Sequence, residues 1–179
     1  MQKNIFVYLK KKERRDLYNS DRIFLEKTIE KGKKIPEGMY YVTVVVWIQN
    51  DNGQFLIQKR SEKKDGRWAT TGGHPIAGET SKEGIVSEIK EELGIDVDSE
   101  KIELFKIVKT DDDFIDMYYV KENIIIDNLI LQEEEVSEVK WNSINEIKEK
   151  INNKEFSESH IELFEECLKY LTKKQKKNN

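Results

Sequence analysis

Three glutamates stand at a spacing that brings their carboxylates onto one face of a helix. With Glu88 set at 0°, a helix turning about 100° per residue places Glu92 at about 40° and Glu91 at about −60°. The apolar residues of the same segment fall on the adjacent face, so the helix would bury one side and present carboxylates beside it. Gly84 also falls on the acidic side, where its missing side chain would let something approach the helix closely.

Carboxylates at positions i, i+3 and i+4 repel one another, and no lysine on this face offsets the repulsion. A hard divalent cation would relieve it, because magnesium takes oxygen ligands and keeps positions open for substrate phosphates. The pattern therefore predicts either a magnesium site or a solvated acidic helix face in a chain that is 37% charged.

The elements that must position these glutamates follow from local patterns. β-Branched and aromatic runs predict strands over residues 39–48 and 54–60, joined as a hairpin, and over residues 102–109, 114–120, 123–131 and 136–141. The run of three glutamates at residues 133–135 predicts a loop. Hydroxyl and carboxylate pairs at Thr80, Ser143 and Ser159 predict the starts of helices over residues 81–93, 144–151 and 160–171. Strands interleaved with helices predict an α/β fold with a mixed sheet covered on both faces, an α/β/α sandwich.

Length and composition limit the functions that this chain can have. Its 179 residues contain no Gly/Ser or Pro linker, which predicts one domain. The 31 basic and 35 acidic residues are mixed along the chain, so no basic face for a nucleic acid is expected. No apolar run approaches the ~18 residues of a membrane-spanning helix, and residues 1–12 predict an ordinary first strand rather than a secretory signal. The single cysteine, Cys167, predicts a packed core thiol and a cytoplasmic location.

The glutamate segment resembles the signature of the Nudix hydrolase family. That signature reads Gly, five residues, Glu, seven residues, Arg-Glu, an aliphatic, any residue, Glu-Glu, any residue, Gly and an aliphatic. It is matched here at every fixed position but one, by Gly73, Glu79, Glu88, Ile89, Glu91, Glu92, Gly94 and Ile95. The resemblance implies a Nudix-type α/β/α sandwich with a mixed sheet, in which the signature forms a loop, a helix and a second loop.

The resemblance also assigns roles to the matching residues. Glu88, Glu91 and Glu92 would bind Mg²⁺ or Mn²⁺, and the carbonyl of Gly73 would add a ligand. Glu79 would hold the loop against the helix, so that the predicted catalytic residues are Glu91, Glu88 and Glu79.

The one mismatch is Ser87, which stands where the family has arginine. A serine hydroxyl supplies neither the charge nor the fork of donors of a guanidinium, so weaker metal binding or altered catalysis is expected. Lys90 lies on a different face of the helix and does not replace the arginine.

A wider set of segments resembles the Nudix branch closest to isopentenyl-diphosphate isomerase. They cover most of the chain and include residues 16–18, 35–38, 46–48, 56–61, 66–68, 72–74 and 135–141. The isomerases place a catalytic cysteine where this chain has Gly72, and histidines where it has Tyr40 and Tyr41, so that His74 alone of that metal site is present. Because glycine can neither donate nor accept a proton, isomerisation is disfavoured.

Further site residues are predicted from their type and position. Asp113, at the start of a strand, is the first candidate for an additional metal-binding carboxylate, and residues 133–135 are the second. The candidates for binding the substrate are Arg60, Arg67, Trp68 and His74. Trp68 would either stack on a base or anchor its loop as a buried aromatic, and His74 would either touch a metal or phosphate or order its loop.

Three functions remain open from the sequence. The first is a metal-dependent hydrolase that cleaves a diphosphate linkage in a nucleotide or other small phosphorylated molecule, with water activated at the glutamates. The second is an isomerase of isopentenyl diphosphate or a related allylic-diphosphate enzyme, and the third is a non-catalytic diphosphate-binding module. The expected partner is a small-molecule diphosphate, with no nucleic acid or membrane and with a homodimer possible. The predicted domain layout is an extension with a strand over residues 1–36, a core over 37–151, a helix over 157–172 and a tail over 173–179.

Overall fold

The computed structural model of the chain describes residues 13–178, so the strand predicted over residues 1–12 lies outside the described residues. The strands are β1 (Arg14–Tyr18), β2 (Phe24–Glu30), β3 (Tyr41–Gln49), β4 (Phe55–Arg60), β5 (Trp68–Ala69), β6 (Thr71–Gly73), β7 (Glu103–Lys109), β8 (Asp113–Lys121) and β9 (Val136–Asn142). The helices are α1 (Ser81–Leu93), α2 (Ile144–Asn152) and α3 (Ile161–Asn178). Among the described residues, every helix is too short or too polar to cross a bilayer.

The central strand of the main sheet is β3. It pairs in parallel with β8 along its whole length, from Tyr41 opposite Asp113 to Gln49 opposite Lys121. The sheet order is β5-β4-β3-β8-β7, with β6 also paired to β3 and β9 to β4. These other pairings are antiparallel, so the sheet is mixed. Both β3 and β8 are nearly continuous apolar runs, as expected for strands that are covered on both faces.

Alternate side chains of β3 enter two separate cores, because successive residues of a strand point to opposite faces. Val44 and Val46 belong to the core that α1 covers. Val45 and Trp47 belong to the core that α2 and α3 cover, together with Cys167. The predicted α/β/α sandwich is therefore confirmed. Cys167 is a fully buried thiol, as predicted, and burial raises its pKa.

Local sequence signals locate most elements correctly. The bounds of α1 are those predicted, and Thr80 and Ser143 form the predicted capping boxes. β3 and β4 are joined by the predicted turn, in which Gly53 has a left-handed φ of 76°. The pairing of these two strands is confined to Gln49 opposite Phe55, because β3 then pairs with β6 and β8 while β4 pairs with β5 and β9.

Two predictions in the second half of the chain are wrong. Residues 123–131 form a loop with a short 3-10 turn (Ile126–Asn128) instead of a strand. Four of their apolar side chains pack on the α1 core, those of Ile124, Ile126, Leu129 and Leu131, whereas Ile125 and Ile130 are exposed. Ser159 does not cap the last helix, because a 3-10 turn (Glu158–His160) precedes α3 and the Ser159 hydroxyl contacts His160 Nδ1 at 3.1 Å. Helix α3 runs to Asn178 and so includes most of the segment predicted as a tail.

The strands β1 and β2 form a separate hairpin that lies against the loop before α1, the signature loop (residues 73–79). Tyr18 and Tyr40 exchange backbone hydrogen bonds of 2.7 and 2.8 Å. The Ala77 N–H donates to the carbonyl of Arg14 at 2.7 Å, and the Gly78 N–H donates to the Asp16 carboxylate at 3.0 Å. The N-terminal extension is thus joined directly to the loop that precedes the predicted metal-binding helix.

An ion pair at a buried carboxylate fixes the tip of this hairpin. Asp116 on β8 is fully buried, and its two oxygens accept hydrogen bonds of 2.6 and 2.5 Å from Arg22. The hydroxyl of Ser81, the first residue of α1, also donates to Asp116 and lies 2.7 Å from the Tyr118 hydroxyl. The hairpin, α1 and β8 therefore meet at one carboxylate.

We expect Arg22→Ala to lower the free energy of unfolding by about 3 kcal/mol, because it leaves Asp116 buried without its counter-charge. Arg14→Ala removes a more exposed arginine from the same hairpin and should cost less than about 1 kcal/mol. Urea denaturation of the full chain measures both values. Equal losses for the two variants would contradict the anchoring role of the buried ion pair.

Candidate functional site

Helix α1 presents its glutamates from a rigid frame, because both of its ends are capped. Thr80 Oγ1 accepts the backbone N–H of Glu83, and the Glu83 carboxylate accepts the Thr80 N–H at 2.8 Å. At the other end Gly94 has a left-handed φ of 71°, and its N–H donates to the carbonyl of Lys90. Each capping interaction stabilises the helix by about 1 kcal/mol. The frame fixes the backbone from which the three predicted metal ligands project.

The signature loop touches α1 at Gly84. A Cβ placed on Gly84 would lie 2.5 Å from Cγ of Pro75, which is closer than real Cβ atoms approach. The predicted close approach at this glycine is therefore made by the signature loop itself. This contact explains a glycine inside a helix, where it costs about 1 kcal/mol relative to alanine.

Glu88 projects into the signature loop and is partly buried there. Its Oε1 accepts the backbone N–H of His74 at 2.8 Å. A Cβ on Gly73 would lie 2.0 Å from the same oxygen, so a side chain at that position would displace the glutamate. Burial raises the pKa of Glu88 to about 7, although the hydrogen bond from His74 opposes the shift and the charge of Glu91 adds to it.

Glu92 is buried more deeply, with 6% of its surface exposed. The Gln58 amide on β4 donates to Glu92 Oε2 at 2.8 Å, and Thr71 Oγ1 donates to the Gln58 carbonyl oxygen at 2.9 Å. Burial raises the pKa of Glu92 to about 8, with the Gln58 hydrogen bond opposing the shift and the charges of Glu88 and Glu135 adding to it. Glu92 is therefore a second carboxylate of α1 that is shielded from water, and the Gln58 amide binds it.

The glutamates of α1 have the donor chemistry of a divalent-cation site. Glu91 is exposed beside Glu88 and Glu92, and the three carboxylates interact electrostatically. A cation among them would offset both their repulsion and the cost of burial, through oxygen donors that Mg²⁺ and Mn²⁺ accept. Within residues 13–178 no three Asp, Glu, His or Cys side chains already converge on one point. The glutamates fit such an ion by donor type and by electrostatics, and binding it would require their carboxylates to move together.

Glu79 and Ser87 tie the signature loop to α1. One oxygen of Glu79 accepts the Ile76 N–H at 3.0 Å within the loop, and the other accepts the Ser87 hydroxyl at 2.9 Å from the helix. The serine at the mismatched signature position thus contacts Glu79 as a neutral donor. This is the contact expected of a glutamate that holds the loop against the helix.

The two predicted sources of an additional carboxylate are placed differently. Asp113 accepts the Thr43 hydroxyl at 2.5 Å on one oxygen and the Thr110 hydroxyl on the other, so it binds the start of β8 to its neighbours. Glu135 is the last residue of the acidic turn over residues 133–135 and pairs with Lys64 at 2.9 Å, and its charge contributes to the raised pKa of Glu92. Of the two, Glu135 is the one that acts electrostatically on a buried glutamate of α1.

The structure does not bring Arg60, Arg67 and Trp68 to the glutamates. Trp68 is buried in the core that α2 and α3 cover, on the opposite face of the sheet from α1. Arg67 forms an ion pair with Glu158 at 3.1 Å, and Arg60 forms one with Asp65 at 3.3 Å. Their closeness in sequence to the signature is misleading, because β5 lies beside the segment that leads into α3. For Trp68 the structure supports the role of a buried anchor.

His74 contacts Arg15, which the sequence did not single out, and Tyr41. Its Nδ1 lies 3.1 Å from Nη2 of Arg15, and its ring centre lies 5.2 Å from that of Tyr41. A guanidinium can only donate, so this nitrogen accepts and the imidazole is neutral. Burial lowers the pKa of His74 to about 3, and the charges of Arg15, Lys31 and Lys64 lower it further. The site is thus bordered by cations that no motif predicted.

Comparisons with known proteins identify the family of this chain. The family model described as the NUDIX domain matches residues 39–167. The chain belongs to the Nudix hydrolase family. An uncharacterized Nudix hydrolase of Listeria innocua is 34% identical over 131 residues, which are 70% of this chain and 77% of that protein.

Solved structures share the Nudix fold of this chain. A protein of Deinococcus radiodurans superposes with a TM-score of 0.74 at 22% identity, covering 87% of this chain and 99% of the other. The Nudix domain of NrtR from Shewanella oneidensis, solved with ADP-ribose, superposes with a TM-score of 0.60 at 18% identity and covers 79% of this chain and 92% of that one. At these identities the likeness establishes the fold.

The isomerase branch has less support than the Nudix family as a whole. An isopentenyl-diphosphate isomerase from Salmonella is 38% identical to this Nudix chain, but over just 55 residues, which are 28% of this chain and 30% of that protein. A Cβ on Gly72 would lie 2.5 Å from the carbonyl oxygen of Val44. A cysteine at this position would therefore require the backbone to move.

Gly84→Ala tests the contact between the signature loop and α1. Helix propensity alone predicts that alanine raises the free energy of unfolding by about 1 kcal/mol. We expect instead a decrease of about 1–3 kcal/mol, because the added methyl group overlaps Pro75. Lys82→Ala, on the same helix, should stay within about 0.5 kcal/mol of the wild type. Urea denaturation gives the sign, and a gain in stability for Gly84→Ala would show that the loop does not pack on the helix in this way.

Proposed function

We propose that this Nudix protein is a divalent-metal-dependent hydrolase that cleaves a diphosphate linkage in a nucleotide or a related small molecule. The observation that carries the proposal is the burial of Glu88 and Glu92 beside the exposed Glu91, on a helix held by the signature loop. Two acidic groups kept out of water on one helix face call for a cation. Mg²⁺ is the ion that we propose, with Mn²⁺ as the alternative.

In this proposal Glu88, Glu91, Glu92 and the carbonyl of Gly73 hold the ion. When bound, the ion would neutralise charge on the diphosphate and make a water molecule more acidic. Glu91, the most exposed of the three glutamates, takes the proton from the attacking water as the general base. The water oxygen forms a bond to phosphorus, the bridging P–O bond breaks, and the departing phosphate takes the electron pair.

Glu79 contributes by positioning. Its two oxygens bind Ile76 in the signature loop and Ser87 on α1, so it fixes the loop that carries Gly73 and His74. A loop held in this way keeps the Gly73 carbonyl and the His74 N–H at the edge of the glutamate site without reorganisation during the reaction.

The substrate class is proposed from the family and from the fold. ADP-ribose belongs in the first panel of compounds, because the Shewanella Nudix domain was solved with it. Nucleoside diphosphates, nucleotide sugars, dinucleoside polyphosphates and prenyl diphosphates complete the panel. The prenyl diphosphates also test the isomerase alternative, since isopentenyl diphosphate would be converted to its dimethylallyl isomer without release of phosphate.

Ser87 is the observation behind the remaining alternative, a non-catalytic diphosphate-binding module. The hydroxyl lacks the charge of the family's arginine, but its hydrogen bond to Glu79 keeps the loop attached to the helix. The retained contact favours the hydrolase.

Glu91→Gln and Glu92→Gln should each lower kcat by at least about 100-fold, because each removes a carboxylate from the proposed proton-transfer and metal-binding set. Glu149→Gln, on the exposed face of α2, is the matched control and should leave kcat unchanged. Release of phosphate or nucleotide from the panel is measured with Mg²⁺, with Mn²⁺ and with a chelator. Undiminished turnover in both signature variants, or turnover that survives the chelator, would place the chemistry elsewhere.

Ser87→Ala should lower kcat/KM by about 5-fold, the equivalent of one hydrogen bond of about 1 kcal/mol. Ser87→Thr keeps the hydroxyl and should retain most of the activity. Steady-state kinetics on the best substrate of the panel measures both variants. If Ser87→Ala were as active as the wild type, the bond to Glu79 would have no part in positioning the loop.

A further inference from the structure

Arg15 lies at the edge of the site, and no carboxylate of residues 13–178 forms a salt bridge with its guanidinium. It lies partly buried on β1, where its Nη2 is 3.1 Å from His74 Nδ1 and its guanidinium carbon is 5.0 Å from the centre of the Tyr41 ring. Within the part of the chain that the structure describes, it forms no ion pair with a carboxylate. Burial lowers the pKa of Arg15, which means that its charge is incompletely solvated.

The adjacent residue, Arg14, is an exposed arginine of the same hairpin and can be compared with Arg15. Arg14 points to the opposite face of β1, donates to the Thr28 hydroxyl at 2.7 Å and lies 3.7 Å from the Glu30 carboxylate. Arg14 is therefore exposed and paired, whereas Arg15 is partly buried and faces a neutral imidazole and an aromatic ring. The charges of Glu13 and Glu88 act on Arg15 without a salt bridge to it. A partly buried guanidinium that no carboxylate contacts is stabilised when an anion binds it directly.

The position of Arg15 indicates which anion that is. His74 joins Arg15 to the glutamate site, because its ring nitrogen contacts the guanidinium while its backbone N–H binds Glu88. The charge of Glu88 also acts on Arg15. Arg15 is therefore linked to the Glu88 carboxylate through one residue, His74, and the anion that suits it is one bound at the glutamate site.

The hairpin holds Arg15 in this position through contacts on both sides. The backbone hydrogen bonds between Tyr18 and Tyr40 and the ion pair between Arg22 and Asp116 attach the hairpin to the main sheet. The carbonyl of Arg14 binds the signature loop directly. The guanidinium is thus presented by an anchored element, which reduces the entropy lost when a ligand binds.

We propose that Arg15 binds the diphosphate of the substrate, and that the N-terminal hairpin forms one wall of the catalytic pocket. The inference rests on the proposed diphosphate-hydrolase function. A guanidinium suits this role because its planar fork of donors matches two phosphate oxygens. Lys31 also acts electrostatically on Glu88, but it is already paired with Glu13 at 2.5 Å.

Binding of methylenediphosphonate, a diphosphate that cannot be hydrolysed, tests the inference in the presence of Mg²⁺. Isothermal titration calorimetry on the full chain should show that Arg15→Ala raises the Kd by about 10- to 100-fold, as expected for the loss of a charged hydrogen-bonding group. Arg15→Lys keeps the positive charge but lacks the planar set of guanidinium donors, so its Kd should lie between those of the wild type and Arg15→Ala. Arg14→Ala is the matched control and should change the Kd by less than about 2-fold.

Binding of Mn²⁺ alone separates this inference from the proposed function. Arg15→Ala should bind Mn²⁺ as the wild type does and should hydrolyse its substrate with a raised KM. If the wild type binds Mn²⁺ and hydrolyses diphosphates while Arg15→Ala keeps the wild-type Kd and KM, the role of Arg15 is wrong and the proposed function stands. If the wild type binds neither Mn²⁺ nor the diphosphonate and has no turnover, both proposals fail. Should Arg15→Ala not fold, Arg15→Gln keeps a donor toward His74 and provides the same comparison.

Discussion

The burial of two carboxylates on α1 is the constraint on which the rest of the site depends. Glu92 is buried and Glu88 is partly buried, with pKa values raised to about 8 and about 7, so in the absence of a cation the folded protein disfavours their charged forms. Protein donors partly offset this cost, since His74 donates to one carboxylate and Gln58 to the other. A bound divalent cation would favour the charged forms of both glutamates. The same cation would also bind the negatively charged diphosphate, so binding of the metal and of the substrate would be coupled.

The signature loop has to lie against the helix for this arrangement to exist. Gly73 leaves room for the Glu88 carboxylate, and Gly84 leaves room for Pro75, so the loop and the helix are closer than larger side chains would permit. Glu79 and Ser87 then join the two by a hydrogen bond. The N-terminal hairpin also binds the signature loop, through Arg14 and Asp16. At its tip the same hairpin is bound to the main sheet by the ion pair of Arg22 with Asp116. The hairpin therefore connects the signature loop to the main sheet.

The sequence predicts those parts of the structure that local signals specify. The bounds of α1 were predictable because Thr80 and Gly94 mark its two ends, and the two cores were predictable because the apolar residues of β3 run without interruption. The pairing of Arg22 with Asp116, 94 residues apart, leaves no local signal, and neither does the contact of Arg15 with His74. For Trp68 the sequence left two roles open, a stack on a base and a buried anchor, and the chain places it in the core that α2 and α3 cover. The apolar residues of 123–131 predicted a strand, but the segment is a loop from which four of the six pack on the α1 core.

The most direct test of this account is to locate a bound cation on the chain itself. Mn²⁺ added to the ¹⁵N-labelled protein broadens the amide signals of residues near the ion, and two-dimensional NMR assigns each signal to its residue. We expect the amides of Gly73, His74, Glu88 and Glu92 to broaden first, with those around Glu149 unaffected, and Mg²⁺ in excess to restore them. Broadening centred on an acidic segment of the other face, such as Glu165 and Glu166 on α3, or none at all, would contradict the claim that the buried glutamates of α1 are the metal site.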